Sequence, residues 1–161
     1  MAILPDVLDS ELKVVFCGTA VGEMSAQAGA YYARPGNRFW PVLHRIGLVP
    51  RELSPVEYQE LLAHRIGLTD IAQEISGTDR RLGPGDFDVA GLRTKIERYD
   101  PIALAFNGKN AAKAFLGRAV DYGQQQERVG KCALFVLPST SGNARGYWDE
   151  SYWRQLAHYV S

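Results

Sequence analysis

The chain has 161 residues, 46% hydrophobic and 22% charged, and its 18 basic and 18 acidic side chains cancel. That size fits one domain over residues 1–161, able to bury its own core without a disulfide or metal staple. A net charge of zero gives no global electrostatic argument for nucleic-acid binding. The two cysteines, Cys17 and Cys132, each sit inside an apolar run and read as small core residues. With the three scattered histidines His44, His64 and His158, they show no zinc or iron–sulfur spacing, so no metal is expected. Residues 1–12 lack a basic stretch followed by an apolar one, and no apolar run approaches the ~18 residues of a membrane span. The expectation is a cytoplasmic protein with no membrane contact.

In chain order, the first element is a strand over Lys13–Cys17 (KVVFC), a continuous rather than alternating apolar run. It enters a G-x-x-x-G turn, Gly18-Thr19-Ala20-Val21-Gly22, followed by Glu23. Glycines at that spacing let backbone curl closely around a ligand. The loop continues to Gly36 through Tyr31, Tyr32 and Arg34; aromatics beside arginines suit stacking on a base and gripping phosphate. Asn37–Ile46 then carries Phe39, Trp40, Leu43 and Ile46 at helical spacing. Ser54-Pro55-Val56-Glu57 is a helix start with a capping box, leading into Val56–Ala63.

Gly67–Ile71 is a weaker strand candidate, and Gln73–Asp88 is a Gly-rich loop holding Arg80 and Arg81. Val89, Leu92, Ile96 and Tyr99 form a helical stripe stopped by Asp100-Pro101. Ile102–Asn107 (IALAFN) is the next strand, and the amide of Asn107 at its end can offer a pyrimidine both a donor and an acceptor. A helix over Lys109–Leu116 follows directly, then a strand over Ala133–Leu137. Pro138–Trp148 is a long loop of small polar residues, and the last helix runs from about Asp149 to Val160. Strands alternating with helices predict an α/β fold whose mainly parallel sheet binds ligands where loops converge at the strands' carboxyl ends.

Four segments together become specific: Gly18-Thr19-Ala20-Val21-Gly22, Pro35-Gly36-Asn37-Arg38-Phe39-Trp40, Phe106-Asn107-Gly108-Lys109, and Pro138-Ser139-Thr140-Ser141-Gly142-Asn143-Ala144-Arg145. In order and spacing they resemble the mismatch-specific uracil- and thymine-DNA glycosylases of the uracil-DNA glycosylase superfamily. That branch carries G-I-N-P-G, P-x-N-x-F-W, L-G-K or F-N-G-K, and N-P-S-G-L-S-R or M-P-S-S-S-A-R. The resemblance covers about residues 13 to 160. It implies a three-layer α/β/α sandwich with a central, mainly parallel sheet of four to five strands. It also implies a monomeric, monofunctional DNA-repair enzyme that flips uracil out of DNA and hydrolyses its N-glycosidic bond without a cofactor.

By the same resemblance, the backbone of Gly18 to Gly22 holds the pyrimidine oxygen, with Asn37 and Asn107 lining the base site. Ser139 touches phosphate, and Gly142 to Arg145 fill the gap left in the duplex. Arg34, Arg38, Lys109, Thr140 and Ser141 complete the expected DNA-binding set. The family's base-stacking aromatic aligns with Ala30; one of the following Tyr31 and Tyr32, with Tyr32 preferred, is expected to take that role. The loop Leu137–Asn143 also resembles the hypoxanthine-cutting branch, which widens the expected substrates.

The match breaks at one point. The family's water-positioning Asn aligns with Ala20, and its Pro with Val21. Either another group holds the water, with Thr19, Glu23 or a backbone carbonyl as candidates, or catalysis rests on leaving-group stabilisation, or the protein binds lesions without cutting. The expectation is an active enzyme in which Glu23 orients the water or steadies the cationic sugar. Two competing readings are a lesion-binding homologue and a small-molecule α/β enzyme. The second finds no phosphate-loop lysine motif and no paired carboxylates suited to magnesium.

Overall fold

The computed structural model describes residues 3–73 and 84–161. Most of the expected loop Gln73–Asp88, with Arg80 and Arg81, lies outside them. The strands are β1 (Val14–Gly18), β2 (Ile66–Asp70), β3 (Ala103–Asn107), β4 (Gly123–Val129) and β5 (Cys132–Leu137). They form a five-stranded sheet in the order β2-β1-β3-β5-β4. Every pairing is parallel except that of β4 with β5. The helices are α1 (Glu23–Ala28), α2 (Phe39–Arg45), α3 (Val89–Tyr99), α4 (Lys109–Leu116) and α5 (Glu150–Val160).

The continuous apolar runs are explained by burial on both faces. Successive residues of a strand point to opposite sides. In β1, Val14 and Phe16 join a cluster with Phe39, Trp40, Leu61 and Trp153, from α2, the 55–64 segment and α5. Val15 and Cys17 join a second cluster with Leu92, Ile96, Ala111 and Phe115, from α3 and α4. The sheet is thus the middle of three layers. Phe16 lies edge-on to Phe39 at 5.3 Å and stacks on Trp153 at 5.4 Å. Full burial of Phe16 and Phe39 contributes roughly 1.5–3 kcal/mol each. Both cysteines are buried and unbridged, and burial pushes the Cys132 thiol up to about 12.

Two elements differ from expectation. The segment Pro55–His64 has its capping box, with Glu57 accepting from the Ser54 N–H at 2.9 Å, but is a 3₁₀ helix. Its inward residues, Tyr58 and Leu61, recur every third position, as the three-residue turn of a 3₁₀ helix requires. Strand β4 (GQQQERV) carries no apolar run, because it is an edge strand whose polar side chains between Gly123 and Val129 alternate between exposed and half-buried. Its hairpin to β5 closes through Gly130, at φ 59°, and Lys131. The polar rim of β4 protects the edge against pairing with another chain.

Candidate active site

The parallel strands β1, β2, β3 and β5 all end on one side of the sheet, where Gly18, Asp70, Asn107 and the Pro138–Thr140 segment meet. Gly18 is the register partner of Asp70. The carbonyls of Gly18 and Thr19 accept from the N–H groups of Ile71 and Ala72 at 3.0 and 2.7 Å, locking the two strand ends together. A Cβ on Gly18 would lie 2.9 Å from Asp70 Oδ1 and 3.4 Å from the Tyr32 hydroxyl. Only a residue without a side chain lets these two oxygens approach β1.

Asp70 is 5% exposed, and burial, then the nearby Asp6 carboxylate, raise its pKa from 3.8 to about 8. The Gly18 backbone and Lys95 pull the other way. Behind it lies a polar network. Asp6 Oδ1 accepts from the Thr69 hydroxyl at 2.7 Å and from Gln73 Nε2 at 3.0 Å, while Asp6 Oδ2 pairs with Lys95 at 2.6 Å. Gln73 Nε2 also donates to the Asp70 carbonyl at 2.7 Å. The carboxylate is therefore held on a fixed backbone, in surroundings that suit a proton acceptor working near neutral pH.

Tyr31 and Tyr32 diverge because Tyr32 adopts a left-handed backbone, φ 53°, which is costly for a bulky residue. Tyr31 enters the core, its hydroxyl donating to the Pro5 carbonyl at 3.1 Å. Tyr32 instead turns to the strand ends, its ring half-buried and stacked on Phe39 at 4.1 Å. Its hydroxyl is fully buried with no hydrogen-bond partner among the described residues, and burial followed by Asp70 raises its pKa, so the phenol stays protonated.

The third and fourth segments are clamped together. The Thr140 N–H donates to Asn107 Oδ1 at 3.0 Å, and Asn107 Nδ2 donates to Thr140 Oγ1 at 2.9 Å. The Thr140 N–H fixes which end of the Asn107 amide is oxygen. The Arg38 N–H donates to the Thr140 carbonyl at 2.9 Å, tying in the second segment. The Arg38 guanidinium lies over Trp148 at 5.2 Å, with one terminal nitrogen buried and without a partner among the described residues. Arg45, by contrast, is engaged by Glu150 at 2.6 Å.

The profile of the Uracil DNA glycosylase superfamily matches residues 5–157 of this chain. The chain belongs to the uracil-DNA glycosylase superfamily. A solution structure of a candidate uracil DNA glycosylase from Methanosarcina acetivorans is similar in fold, with a TM-score of 0.65 and 24% identity. The match covers 98% of this chain and 97% of that one. Superfamily membership makes the protein a DNA glycosylase, a hydrolase of base-excision repair with DNA as its substrate.

In this glycosylase the sequence-predicted residues separate into groups. Gly18, Tyr32, Asn107, Ser139 and Thr140 come together at the strand ends; a Cβ on Gly108 would lie 3.4 Å from Ser139 Cβ. Val21 packs into the core, and Ala20 is partly exposed. Gly22 caps α1, and Glu23 is the exposed first residue of that helix. Asn37 Oδ1 accepts from the Phe39 N–H at 3.0 Å, which makes Asn37 the start signal of α2. Lys109 opens α4 with its ammonium 4.6 Å over the Tyr122 ring. Arg34 and Asn143 are exposed, and Ser141 and Gly142 partly so. Gly142 packs near the Gly36 carbonyl, and Arg145 lies in a short 3₁₀ stretch, Gly142–Tyr147. Tyr147, in the same stretch, is 71% exposed.

Asp70 was not among the residues singled out. Its signal was an acidic residue closing an apolar strand candidate, in a fold that lines up strand ends.

Proposed function

We propose that this glycosylase releases uracil from DNA, and that Asp70 replaces the water-positioning Asn that the first segment lacks. The observation that carries this reading is the Asp70 carboxylate beside Gly18, buried and poised to change charge near pH 8. Breaking the N-glycosidic bond leaves the electron pair on the base and positive charge on the sugar. Ionised Asp70 steadies that cation and accepts a proton from the water that attacks C1′. The role expected of Glu23 thereby passes to Asp70, whose position is fixed by the β1–β2 register rather than by a helix end.

Access requires the nucleotide to leave the duplex, at a cost of a few kcal/mol. We assign the segment from Ser139 to Arg145, with Arg34 and Arg38, to the DNA. Asn107 holds Thr140 and the loop behind it in place. Hypoxanthine and thymine are further candidate bases.

The test is release of labelled base from oligonucleotides bearing uracil in single strands, opposite guanine and opposite adenine. Release that depends on Asp70 supports the reading. Tight, salt-sensitive binding of uracil DNA with no release would instead favour the lesion-binding alternative, which the alanine at position 20 motivates.

A further inference from the structure

A buried hydroxyl with nothing to donate to is rare in a folded protein, because it loses its water without replacement. Among the described residues, the Tyr32 hydroxyl is such a group. The backbone that carries it is also strained, at φ 53°. Two unfavourable features at one residue point to a demand made by function rather than by folding.

The surroundings define what the phenol can do. Its pKa is raised, so it holds its hydrogen. Asn107 pulls that pKa the other way, but burial and Asp70 prevail. The Asn107 oxygen is engaged by the Thr140 N–H. The ring is held by stacking on Phe39 at 4.1 Å. The hydroxyl lies 3.4 Å from the point above Gly18 that Asp70 Oδ1 approaches from the other strand, at 2.9 Å. A fixed donor, kept out of water, thus faces a carboxylate across the one position in β1 that has no side chain.

Resting on the glycosylase reading, we infer that Tyr32 is a catalytic hydrogen-bond donor to the departing base. As the bond from C1′ to the base nitrogen breaks, its electron pair passes to the base and spreads onto the neighbouring carbonyl oxygen. The Tyr32 O–H donates to that oxygen without transferring its proton, while Asp70 serves the sugar and the water. Donors preorganised in a dry site stabilise charge that appears only in the transition state. Tyr32 thereby meets the base through its hydroxyl, in place of the stacking role expected of it.

The test is Tyr32→Phe, which keeps the ring on Phe39 and removes only the hydroxyl. Single-turnover release should be measured at saturating DNA for uracil and for 5-fluorouracil, a better leaving group, with thermal unfolding alongside. The expected result is a fall of about 10- to 100-fold for uracil and a smaller one for 5-fluorouracil. The melting temperature should be unchanged or higher by a few degrees, because an unsatisfied buried group has gone. Uracil release at the wild-type rate would overturn the inference and leave the glycosylase reading standing. Equal losses for both bases with a lowered melting temperature would also overturn it, by making the hydroxyl structural. No release by the wild-type protein would remove the glycosylase reading and this inference with it.

Discussion

Asp70 ties activity and stability to the same proton. Its carboxyl is pushed from 3.8 to about 8, first by burial and then by Asp6. The unfolded chain releases this proton near pH 4, while the folded protein keeps it until about pH 8. Folding therefore takes up a proton between those limits, and stability falls as pH rises through that window. The slope from this one group is about 1.4 kcal/mol per pH unit, and it vanishes below pH 4 and above pH 8. Activity runs in the opposite direction. Only ionised Asp70 can accept the water's proton, so at pH 6 about one molecule in a hundred is competent. Single-turnover release should climb about tenfold per pH unit from pH 6 and level off near pH 8. Asp70→Asn should abolish most of that rise and remove the Asp70 contribution to the pH dependence of thermal unfolding. Its melting temperature should exceed that of the native protein at pH 8 and match it near pH 4. A release rate that is flat from pH 6 to 9, or identical stability profiles for the two proteins, would refute the reasoning.

Other outcomes follow from the site's packing. Gly18→Ala places a methyl 2.9 Å from Asp70 Oδ1; the resulting displacement should lower release by about 100-fold, with DNA binding retained in a gel-shift assay. Thr140→Val removes the hydroxyl that accepts from Asn107 at 2.9 Å and should cost about 1 kcal/mol in chemical denaturation. Arg38→Met keeps the stem near Trp148 and removes the charge; DNA affinity should weaken and the salt slope of binding fall by about 1. Glu23→Gln, at the exposed start of α1, should leave release within about twofold of the native rate.

The sheet's interior was legible because β1, β3 and β5 are buried on both faces, and double burial writes an unbroken apolar run into the sequence. Helix α4 was legible from Lys109 to Leu116 because Gly108 and Gly117 bracket it. Strand β4 was not, since an edge strand with exposed polar side chains resembles a loop. The four segments that meet at the site could be read individually, yet their clamping through Asn107, Thr140 and Arg38 could not. Those contacts join residues far apart in the chain, as does the pairing of Gly18 with Asp70. Glu23 is close to Ala20 in sequence, whereas the sheet brings Asp70 from another strand. Tyr31 and Tyr32 are adjacent and chemically alike, and only the backbone turn at Tyr32 separates a core residue from a site residue.

The most direct test is single-turnover release of uracil at pH 8 by the native protein, Asp70→Asn and Glu23→Gln, with DNA binding measured for each. The account predicts release by the native protein, a loss of about 100-fold or more in Asp70→Asn with DNA still bound, and near-native release in Glu23→Gln. Native-level release by Asp70→Asn, or a comparable loss in Glu23→Gln alone, would contradict it.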